Sequence, residues 1–393
     1  MEPRSPSAAL QRKPPPPVPL SVITGFLGAG KTTLLNALLK DPALAGTLVL
    51  INEFGDTGLD HLFVENIDGD MMLMSSGCLC CTIRGELVDT LERILRNLDN
   101  GRMPAFKRVI IETTGLADPA PVLHTIMHHP YLMLRFRLES VVTLVDAING
   151  PATLDEHEES VKQAAVADRI VLTKTDLCDT DEKRQQLKAF RERLRKLNPA
   201  APIFDAAKGE AVAARLFDAG LYDVSAKTPD VKKWLNAEAF DTHGEHAHHG
   251  HGHHDHHHGH HHDVNRHDAR IHSFCLHADA PVAVKSFELF QDFLRQLHGP
   301  KLLRMKGVIA LDDDPQRPLV IHGVQHVFHP PVRLDAWPDS DRSTRIVFIV
   351  KDLDPGHLRG LWRAFTGGAD IDAPDGAALA GNPLKPQPGG LLG

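Results

Sequence analysis

A glycine-rich segment, Gly25–Thr32, follows a run of apolar and β-branched residues and precedes a stretch that favours a helix. Its sequence fits the spacing G-x-x-x-x-G-K-[ST], which forms a tight loop between a strand and a helix. The glycines let successive backbone N–H groups converge on one point, where the amino end of the helix adds partial positive charge. The segment therefore predicts a phosphate-binding loop with a nucleoside triphosphate as its ligand. The residues expected to contact this nucleotide are Gly25, Gly28, Ala29, Gly30, Lys31, Thr32 and Thr33.

Short apolar runs alternate with helix-forming stretches through the first half of the chain. Continuous apolar strands separated by helices are typical of a parallel sheet that is covered on both faces. The predicted fold class is α/β, a doubly wound and mostly parallel sheet that binds ligands at the carboxyl ends of its strands. The predicted strands are Leu20–Thr24, Thr47–Ile51, Arg108–Ile111, Val141–Val145 and Arg169–Leu172. The predicted helices include Thr32–Lys40, Glu86–Asn97 and Lys183–Leu197.

Changes in composition divide the 393 residues into five parts. Residues 1–19 are polar and proline-rich, which predicts a tail without a packed core. Residues 20–240 are expected to form the α/β domain, and residues 241–268 a flexible histidine-rich linker. Residues 269–366 follow a β-α-β-β-β pattern that predicts a small α+β domain, and residues 367–393, rich in glycine, proline and alanine, predict a second tail.

The charge balance argues against a nucleic-acid-binding protein. The chain has 43 Lys and Arg residues against 51 Asp and Glu residues, a formal net charge of −8, whereas nucleic-acid binding calls for an extended basic surface. No run approaches the roughly 18 apolar residues that a membrane-spanning helix requires. We therefore expect a soluble, cytoplasmic protein that binds neither nucleic acid nor a membrane.

Three side chains around the glycine-rich loop are candidates for catalysis. Lys31 is expected to neutralise the β- and γ-phosphates, and the Thr32 hydroxyl to bind Mg²⁺. Glu112 follows the apolar run Val109–Ile111, where a P-loop protein places the acid on the Mg²⁺ side of its site. Gly115 lies three residues further on, where a glycine can sense the γ-phosphate.

The segment Thr173–Asp176 ends a predicted strand and is expected to bind the base. The Asp176 carboxylate can accept two N–H bonds from guanine, whereas adenine presents an acceptor at the same edge. Because mispaired polar groups of this kind give discrimination on the order of 10⁴, GTP is favoured over ATP. Thr173 stands where asparagine is usual and can still hydrogen-bond locally. The alternative is that Lys174 and Asp176 are ordinary polar residues of a loop.

Three of the five cysteines, Cys78, Cys80 and Cys81, lie within four positions. This clustering suits metal binding in a reducing compartment better than a disulfide framework. Three thiolates can fill three of the four tetrahedral positions around Zn²⁺ or Co²⁺ and leave one for a carboxylate, water or a recipient's ligand. Buried structural cysteines and a redox pair are the alternatives.

Histidines are concentrated in one segment, with 13 of the 26 lying in the 20 residues from His243 to His262. Spaced imidazoles can form weak, overlapping metal sites, a local reservoir that feeds the thiolates. The alternative is a solvated linker whose metal affinity is incidental. The candidate ligands are His246, His248, His249, His251 and His253.

Over residues 20–355 the chain resembles the CobW-type P-loop GTPases, relatives of the GTPases that insert nickel into hydrogenase and urease. The histidine-rich insertion and the T-K-x-D variant also recur in that family. The motifs that carry the resemblance are G-F-L-G-A-G-K-T-T at Gly25–Thr33, N-E-F-G at Asn52–Gly55, G-C-L-C-C at Gly77–Cys81, E-T-T-G-L-A-D-P at Glu112–Pro119 and G-V-Q-H at Gly323–His326.

The resemblance implies a metallochaperone, a slow and metal-stimulated GTPase that loads Zn²⁺ or Co²⁺ and passes it to a client metalloprotein or cofactor pathway. The three clustered cysteines would then be ligands of the transferred metal, and Asn52–Asp60 a nucleotide-responsive switch. Within this switch, Glu53 and Asp56 are acids that can reach either metal, and Asp56 is a candidate catalytic residue. A homodimer that depends on nucleotide or metal stays open.

Two other functions stay open at this point. A P-loop kinase or other ATP-dependent enzyme would transfer a phosphoryl group to a small molecule, but it gives no reason for the cysteine motif. A metal-storage protein with a vestigial nucleotide site would show no metal-stimulated GTPase activity.

Overall fold

In a computed structural model of the chain, residues 16–52, 73–76, 83–217, 270–338 and 340–367 are described. They form two sheets, of which the first is parallel and the second antiparallel. No helix among these residues combines the length and the apolar character that crossing a bilayer requires.

The strands of the first sheet include all five runs predicted from the sequence. They are β1 (Val18–Gly25), β2 (Thr47–Asn52), β3 (Leu73–Ser76), β4 (Arg108–Glu112), β5 (Phe136–Asp146), β6 (Arg169–Thr173) and β7 (Ile203–Asp205). Their spatial order is β3-β2-β4-β1-β5-β6-β7, and neighbouring strands are parallel. The carboxyl end of β1 therefore lies in the middle of the sheet, between β4 and β5.

Helices cover both faces of this sheet. They are α1 (Lys31–Leu38), α2 (Ile83–Asp99), α3 (Ala120–His128), α4 (Pro130–Arg135), α5 (Gly150–Glu156), α6 (Glu158–Val166), α7 (Asp181–Leu197) and α8 (Ala213–Leu216). Val22 of β1 packs in one buried cluster with Leu91 of α2, whereas its neighbour Ile23 packs in another cluster with Leu35 of α1. Adjacent residues of one strand face two cores, which confirms the doubly wound α/β fold.

The second sheet and its helices form the small α+β domain expected after the linker. Its strands are β8 (Ile271–Ala278), β9 (Leu302–Ile309), β10 (Leu319–Val324), β11 (Val327–Phe328), β12 (Val332–Arg333) and β13 (Thr344–Lys351). Their order is β11-β10-β9-β13-β8, with β12 paired to β10. Helices α9 (Val284–Phe293) and α10 (Pro355–Phe365) supply side chains to its core.

Helix α10 was absent from the β-α-β-β-β pattern read from the sequence. It begins at Pro355, after the Asp354 carboxylate accepts a hydrogen bond of 3.0 Å from the N–H of Gly356. Trp362 is buried on its inner face, and its ring meets that of Phe290 edge to face at 4.9 Å. Proline at the first turn and an acidic cap are sequence signals for a helix start, and they could have revealed it.

The two domains are in direct contact. Val324 of β10 belongs to the same buried cluster as Leu123 of α3. Asp168, which precedes β6, forms ion pairs with Arg304 at 2.5 Å and with Lys306 at 2.6 Å, both in β9. The boundaries proposed for the linker fall between residues 218 and 269, outside the described residues, and stay predictions.

Candidate functional site

The glycine-rich loop joins β1 to α1 through three glycines with positive φ. The values are 142° at Gly25, 71° at Gly28 and 87° at Gly30. A Cβ atom at Gly25 would lie 2.4 Å from the carbonyl oxygen of Leu144 in the adjacent strand β5. Glycine is thus required at this position both by backbone conformation and by space, as expected for a tight phosphate-binding turn.

Lys31, the first residue of α1, is held against this loop. Its ammonium donates hydrogen bonds to the carbonyl oxygens of Gly25 at 3.0 Å and of Phe26 at 3.3 Å, and the residue is only 9 % exposed. A phosphate that enters the loop would find this positive charge in place. Thr33 lies two residues further on, exposed in the first turn of the helix.

Thr32 and Glu112 place a hydroxyl and a carboxylate next to the loop. The Thr32 hydroxyl donates a hydrogen bond of 3.0 Å to a Glu112 carboxylate oxygen. Glu112 is the last residue of β4 and pairs in register with Ile23 of β1. A hydroxyl and a carboxylate are ligands that suit Mg²⁺, which prefers oxygen. The chemistry of this pair therefore fits the Mg²⁺ site predicted from the sequence.

The loop after β4 lies against the glycine-rich loop. A Cβ atom at Gly115 would lie 2.6 Å from the backbone nitrogen of Leu27, so glycine is required for this close approach. The side-chain amide of Gln163 in α6 donates to the carbonyl oxygens of Gly115 at 3.1 Å and of Ala117 at 2.9 Å. No sequence motif marks Gln163, which is why its role in the site was not predicted.

Thr173 connects the predicted base-binding segment to the glycine-rich loop. Its hydroxyl donates a hydrogen bond of 2.9 Å to the carbonyl oxygen of Ala29, and both residues are buried. Threonine can thus hydrogen-bond in the place where asparagine is usual, here to a residue 144 positions away in the chain. The contact keeps the end of β6 next to the loop.

Lys174 is paired with an acidic residue that the sequence analysis did not identify. Lys174 has a left-handed backbone with φ of 57°, and its ammonium lies 2.7 Å from the carboxylate of Asp146, the last residue of β5. Burial raises the pKa of Asp146, but hydrogen bonds from Lys174 and from the N–H groups of Ile148 and Asn149 outweigh it and lower the pKa below its usual value. The sequence signal that could have identified Asp146 is its position directly after the apolar run Val141–Val145.

Asp176 is exposed in a short 3-10 turn, Thr175–Leu177, beyond the end of β6. Thr175 donates a hydrogen bond of 2.5 Å to the carboxylate of Asp205, the last residue of β7. The N–H of Ala206 also bonds to the carbonyl oxygen of Leu172 at 2.9 Å. The loop after β7 thus lies beside the segment expected to bind guanine.

Except for Thr32, the predicted metal ligands fall outside the described residues. These are Cys78, Cys80, Cys81, Glu53 and Asp56, with His246, His248, His249, His251 and His253 of the histidine-rich segment. The strands that precede two of these segments are described. Asn52 is the last residue of β2, Ser76 is the last residue of β3, and the two are register partners. In the described parts of the chain, no group of three or more His, Cys, Asp or Glu side chains could hold a metal ion.

Family models match both domains of the chain. Residues 19–205 match the model described as "CobW/HypB/UreG, nucleotide-binding domain". Residues 271–366 match the "Cobalamin synthesis protein cobW C-terminal domain". These spans coincide with the parallel sheet and with the antiparallel sheet.

Relatives and solved structures give the same assignment. The zinc chaperone YjiA of Escherichia coli (strain K12) is 30 % identical over 346 residues, which cover 88 % of this chain and 98 % of YjiA. The zinc-regulated GTPase metalloprotein activator 1 of Schizosaccharomyces pombe is 36 % identical over 200 residues, 49 % of this chain and 46 % of that protein. The crystal structure of Zn(II)-bound YjiA GTPase from E. coli superimposes with a TM-score of 0.60 at 26 % identity, covering 89 % of this chain and 99 % of that one. With its glycine-rich loop, its Thr32–Glu112 pair and the match of both domains, the chain belongs to the CobW/HypB/UreG family.

Proposed function

We propose that the chain is a GTPase metallochaperone. It binds and hydrolyses GTP at the glycine-rich loop, binds Zn²⁺ or Co²⁺ through Cys78, Cys80 and Cys81, and passes the metal to a client metalloprotein or metal-cofactor pathway in the cytoplasm. The names of the relatives, zinc chaperone and zinc-regulated GTPase, support this function and favour zinc as the metal. The observation that carries it is the pairing of Asn52 with Ser76, because these residues lead into the proposed switch and cysteine segments.

The proposed hydrolysis depends mainly on charge placed around the phosphates. Mg²⁺, when bound, would offset the negative charge of the phosphates. Lys31 would hold the phosphate oxygens, while Thr32 and Glu112 would hold the metal ion, directly or through water. Gly115 would approach the γ-phosphate, and Asp56 is the candidate that orients the attacking water.

Guanine recognition is proposed to depend on Asp176. Its exposed carboxylate lies beyond the end of β6 and can accept the two N–H groups of guanine. Thr173 supports this position through its hydrogen bond to Ala29 of the glycine-rich loop. The ion pair with Asp146 fixes Lys174, whose backbone is left-handed, at the start of the turn that carries Asp176. GTP is therefore the proposed nucleotide rather than ATP.

Nucleotide state and metal affinity are proposed to be coupled through the end of β2. Ile51 pairs in register with Glu112, and the next residue, Asn52, pairs with Ser76. Strands β2 and β3 therefore end at the same edge of the sheet as Glu112, and the proposed switch and cysteine segments follow them in the chain. The γ-phosphate and Mg²⁺ could order both segments, and hydrolysis would release them. GTP would then tighten metal binding, and bound metal would tighten GTP binding by the same factor.

The histidine-rich segment is proposed to retain metal for the thiolates. Deletion of residues 243–262 from the full chain should remove weak metal sites in a zinc titration while leaving the tight site intact. A deletion that removes no weak sites would mean that the segment acts as a spacer.

A competition titration tests the coupling directly. Zinc is titrated into the full chain against a chromophoric chelator, once with Mg²⁺ and a non-hydrolysable GTP analogue and once with Mg²⁺ and GDP. We expect tighter zinc binding with the GTP analogue. Equal affinities in the two states would reject the nucleotide-dependent mechanism.

Cysteine variants locate the metal. Cys80→Ala should abolish tight stoichiometric zinc binding and leave GTP affinity largely unchanged. Cys275→Ala is the matched control, because it removes a cysteine side chain that is buried in β8 of the other domain. Tight binding that survives in Cys80→Ala would place the metal elsewhere.

Phosphate release measured with GTP and with ATP, each with and without Zn²⁺ or Co²⁺, separates the proposed activity from its competitors. The proposal predicts a slow release from GTP that the metal stimulates. Preferred use of ATP with phosphoryl transfer to a small molecule would indicate a kinase, and metal binding without any stimulated hydrolysis would indicate a storage protein.

A further inference from the structure

Helix α6 contacts the nucleotide site through its middle and the C-terminal domain through both ends. It runs from Glu158 to Val166. The residue before it, His157, stacks its ring on that of Phe26 in the glycine-rich loop, with 4.5 Å between ring centroids. No motif in the sequence marks this helix, and the nucleotide chemistry described above does not use it.

The middle of α6 holds the loop that carries Gly115. The Gln163 amide donates to the carbonyl oxygens of Gly115 and Ala117, and Gln163 is only 1 % exposed. Lys162, one residue earlier, lies 3.7 Å from the carboxylate of Asp118 in the same loop. A buried amide with two carbonyl acceptors fixes the loop closely, because any shift of the loop leaves a polar group unpaired.

The ends of α6 are held by strands of the C-terminal domain. At the first turn, Glu158 forms an ion pair with Lys351 of β13. At the last turn, the guanidinium of Arg304 in β9 donates to the carbonyl oxygen of Val166 and to the carboxylate of Asp168. Between them, Ala165 packs in one buried cluster with Leu303 and Ile349 of the same two strands.

We propose that Gln163 is a positioning residue for the γ-phosphate side of the GTP site, and that α6 transmits contacts made with the C-terminal domain to it. The proposal rests on the function proposed above, since it needs GTP bound at the glycine-rich loop.

Helix α6 is short and is fixed at three places, so we expect it to move as one rigid unit. A γ-phosphate drawn to Gly115 moves or tightens the loop, and the loop cannot move without Gln163. Because Gln163 and the residues that contact β9 and β13 belong to one short helix, a displacement at its middle is passed to the ion pairs at its ends. A client protein that binds the sheet of the C-terminal domain would in turn displace α6 and so shift the position of the loop that carries Gly115.

The first test measures how well the full chain distinguishes GTP from GDP. Calorimetry with GTPγS and with GDP, both with Mg²⁺, gives the ratio of the two affinities. Gln163→Met removes both donors at similar volume, and we expect it to lower the preference for GTPγS about tenfold. Gln186→Met, at an exposed position of α7, is the matched control and should leave the ratio unchanged.

The second variant tests the connection to the C-terminal domain. Lys351→Met removes the ion pair with Glu158 without touching the nucleotide loop, and we expect the ratio to fall about threefold. Lys285→Met, exposed on α9, is the control. In the Gln163→Met/Lys351→Met double variant, the affinity ratio should fall by less than the product of the two single-variant factors. This is expected because both substitutions act along one helix.

The outcomes separate a positioning role from a merely structural one. A structural role would lower the melting temperature and change both nucleotide affinities by the same factor, and that result would overturn the proposal for Gln163. An unchanged ratio in Lys351→Met would overturn the link to the C-terminal domain. A wild-type chain that binds neither nucleotide would instead refute the proposed function.

Hydrogen exchange on the wild-type chain gives a test that does not depend on any variant folding. We expect the amides of residues 158–166 and 302–309 to exchange more slowly with GTPγS than with GDP. Equal exchange of both segments in the two nucleotide states would overturn the proposal.

Discussion

The hydroxyl of Thr32 donates a hydrogen bond of 3.0 Å to the carboxylate of Glu112, although 80 positions separate the two residues in the chain. The contact joins the first turn of α1 to the carboxyl end of β4. It exists because β1 and β4 are neighbours in the sheet, with Ile23 and Glu112 in register. Both side-chain oxygens therefore lie on the same side of the glycine-rich loop, where Mg²⁺ is proposed to bind.

Glu112→Gln tests this pair. The substitution keeps the size of the side chain but removes the negative charge that would support Mg²⁺, so we expect GTP hydrolysis to fall about 100-fold, a loss of about 2.7 kcal/mol in transition-state stabilisation. The Mg²⁺ concentration required for half-maximal rate should rise. Phosphate release as a function of Mg²⁺ measures both effects. Glu288→Gln, on an exposed face of α9, is the control, and an equal loss in both variants would contradict the role of Glu112.

Asp176→Asn tests base recognition. The amide that replaces the carboxylate presents a donor where guanine also presents donors, so GTP affinity should fall about 100-fold. Xanthosine triphosphate, which carries a carbonyl oxygen at that edge, should gain affinity. Competition binding with GTP, ATP and xanthosine triphosphate checks this order. Asp179→Asn, in the exposed residues that follow the same turn, should change none of the three.

Gly25→Ala and Gly28→Ala form a matched pair in the glycine-rich loop. Both glycines have positive φ, but their surroundings differ. A Cβ atom at position 25 would lie 2.4 Å from the Leu144 carbonyl oxygen, whereas a Cβ atom at position 28 would have nothing within 4 Å. We expect Gly28→Ala to cost about 1 kcal/mol of unfolding free energy and Gly25→Ala at least about 2 kcal/mol more. Urea unfolding followed by circular dichroism gives both values. Equal costs would mean that the contact with Leu144 is relieved by movement of β5.

Acid should weaken the contact between α6 and the C-terminal domain through Glu158. Hydrogen bonds from Lys351 and Lys162 lower the pKa of Glu158 from 4.5 to about 2. As pH falls from 4.5 towards 2, the unfolded chain takes up a proton that the folded chain does not, so this contribution to stability is present above pH 4.5 and is lost over that interval. Because the side chain is partly exposed, we expect only about 1 kcal/mol.

Acid unfolding of Glu158→Gln measures this contribution. The variant should be less stable than the wild type at neutral pH, and the difference should disappear near pH 2. Glu156→Gln, at a side chain that is 72 % exposed, should follow the wild-type curve. A constant difference between Glu158→Gln and the wild type from pH 7 to pH 2 would show that the ionised carboxylate is not the cause.

Much of the nucleotide site could be predicted from the sequence because its parts are local. The spacing of Gly25, Gly28 and Gly30 before Lys31 determines a turn within a few residues, and the apolar runs determine parallel strands that end beside it. Helix α10 was missed for a different reason. Its start lies beyond the last apolar run and is marked only by Asp354 and Pro355, which the apolar pattern does not detect.

The sequence by itself determined the fold class, the phosphate-binding loop and the order of the candidate site residues along the chain. Only the tertiary structure decided which distant residues meet: Asp146 with Lys174, Gln163 with Gly115, and Asp168 with Arg304, which lie 28, 48 and 136 positions apart. The physical reason is that such contacts depend on the order of strands in the sheet and on the packing of one domain against the other. Hydrophobic periodicity and motif spacing act over a few residues, and they carry no information about either.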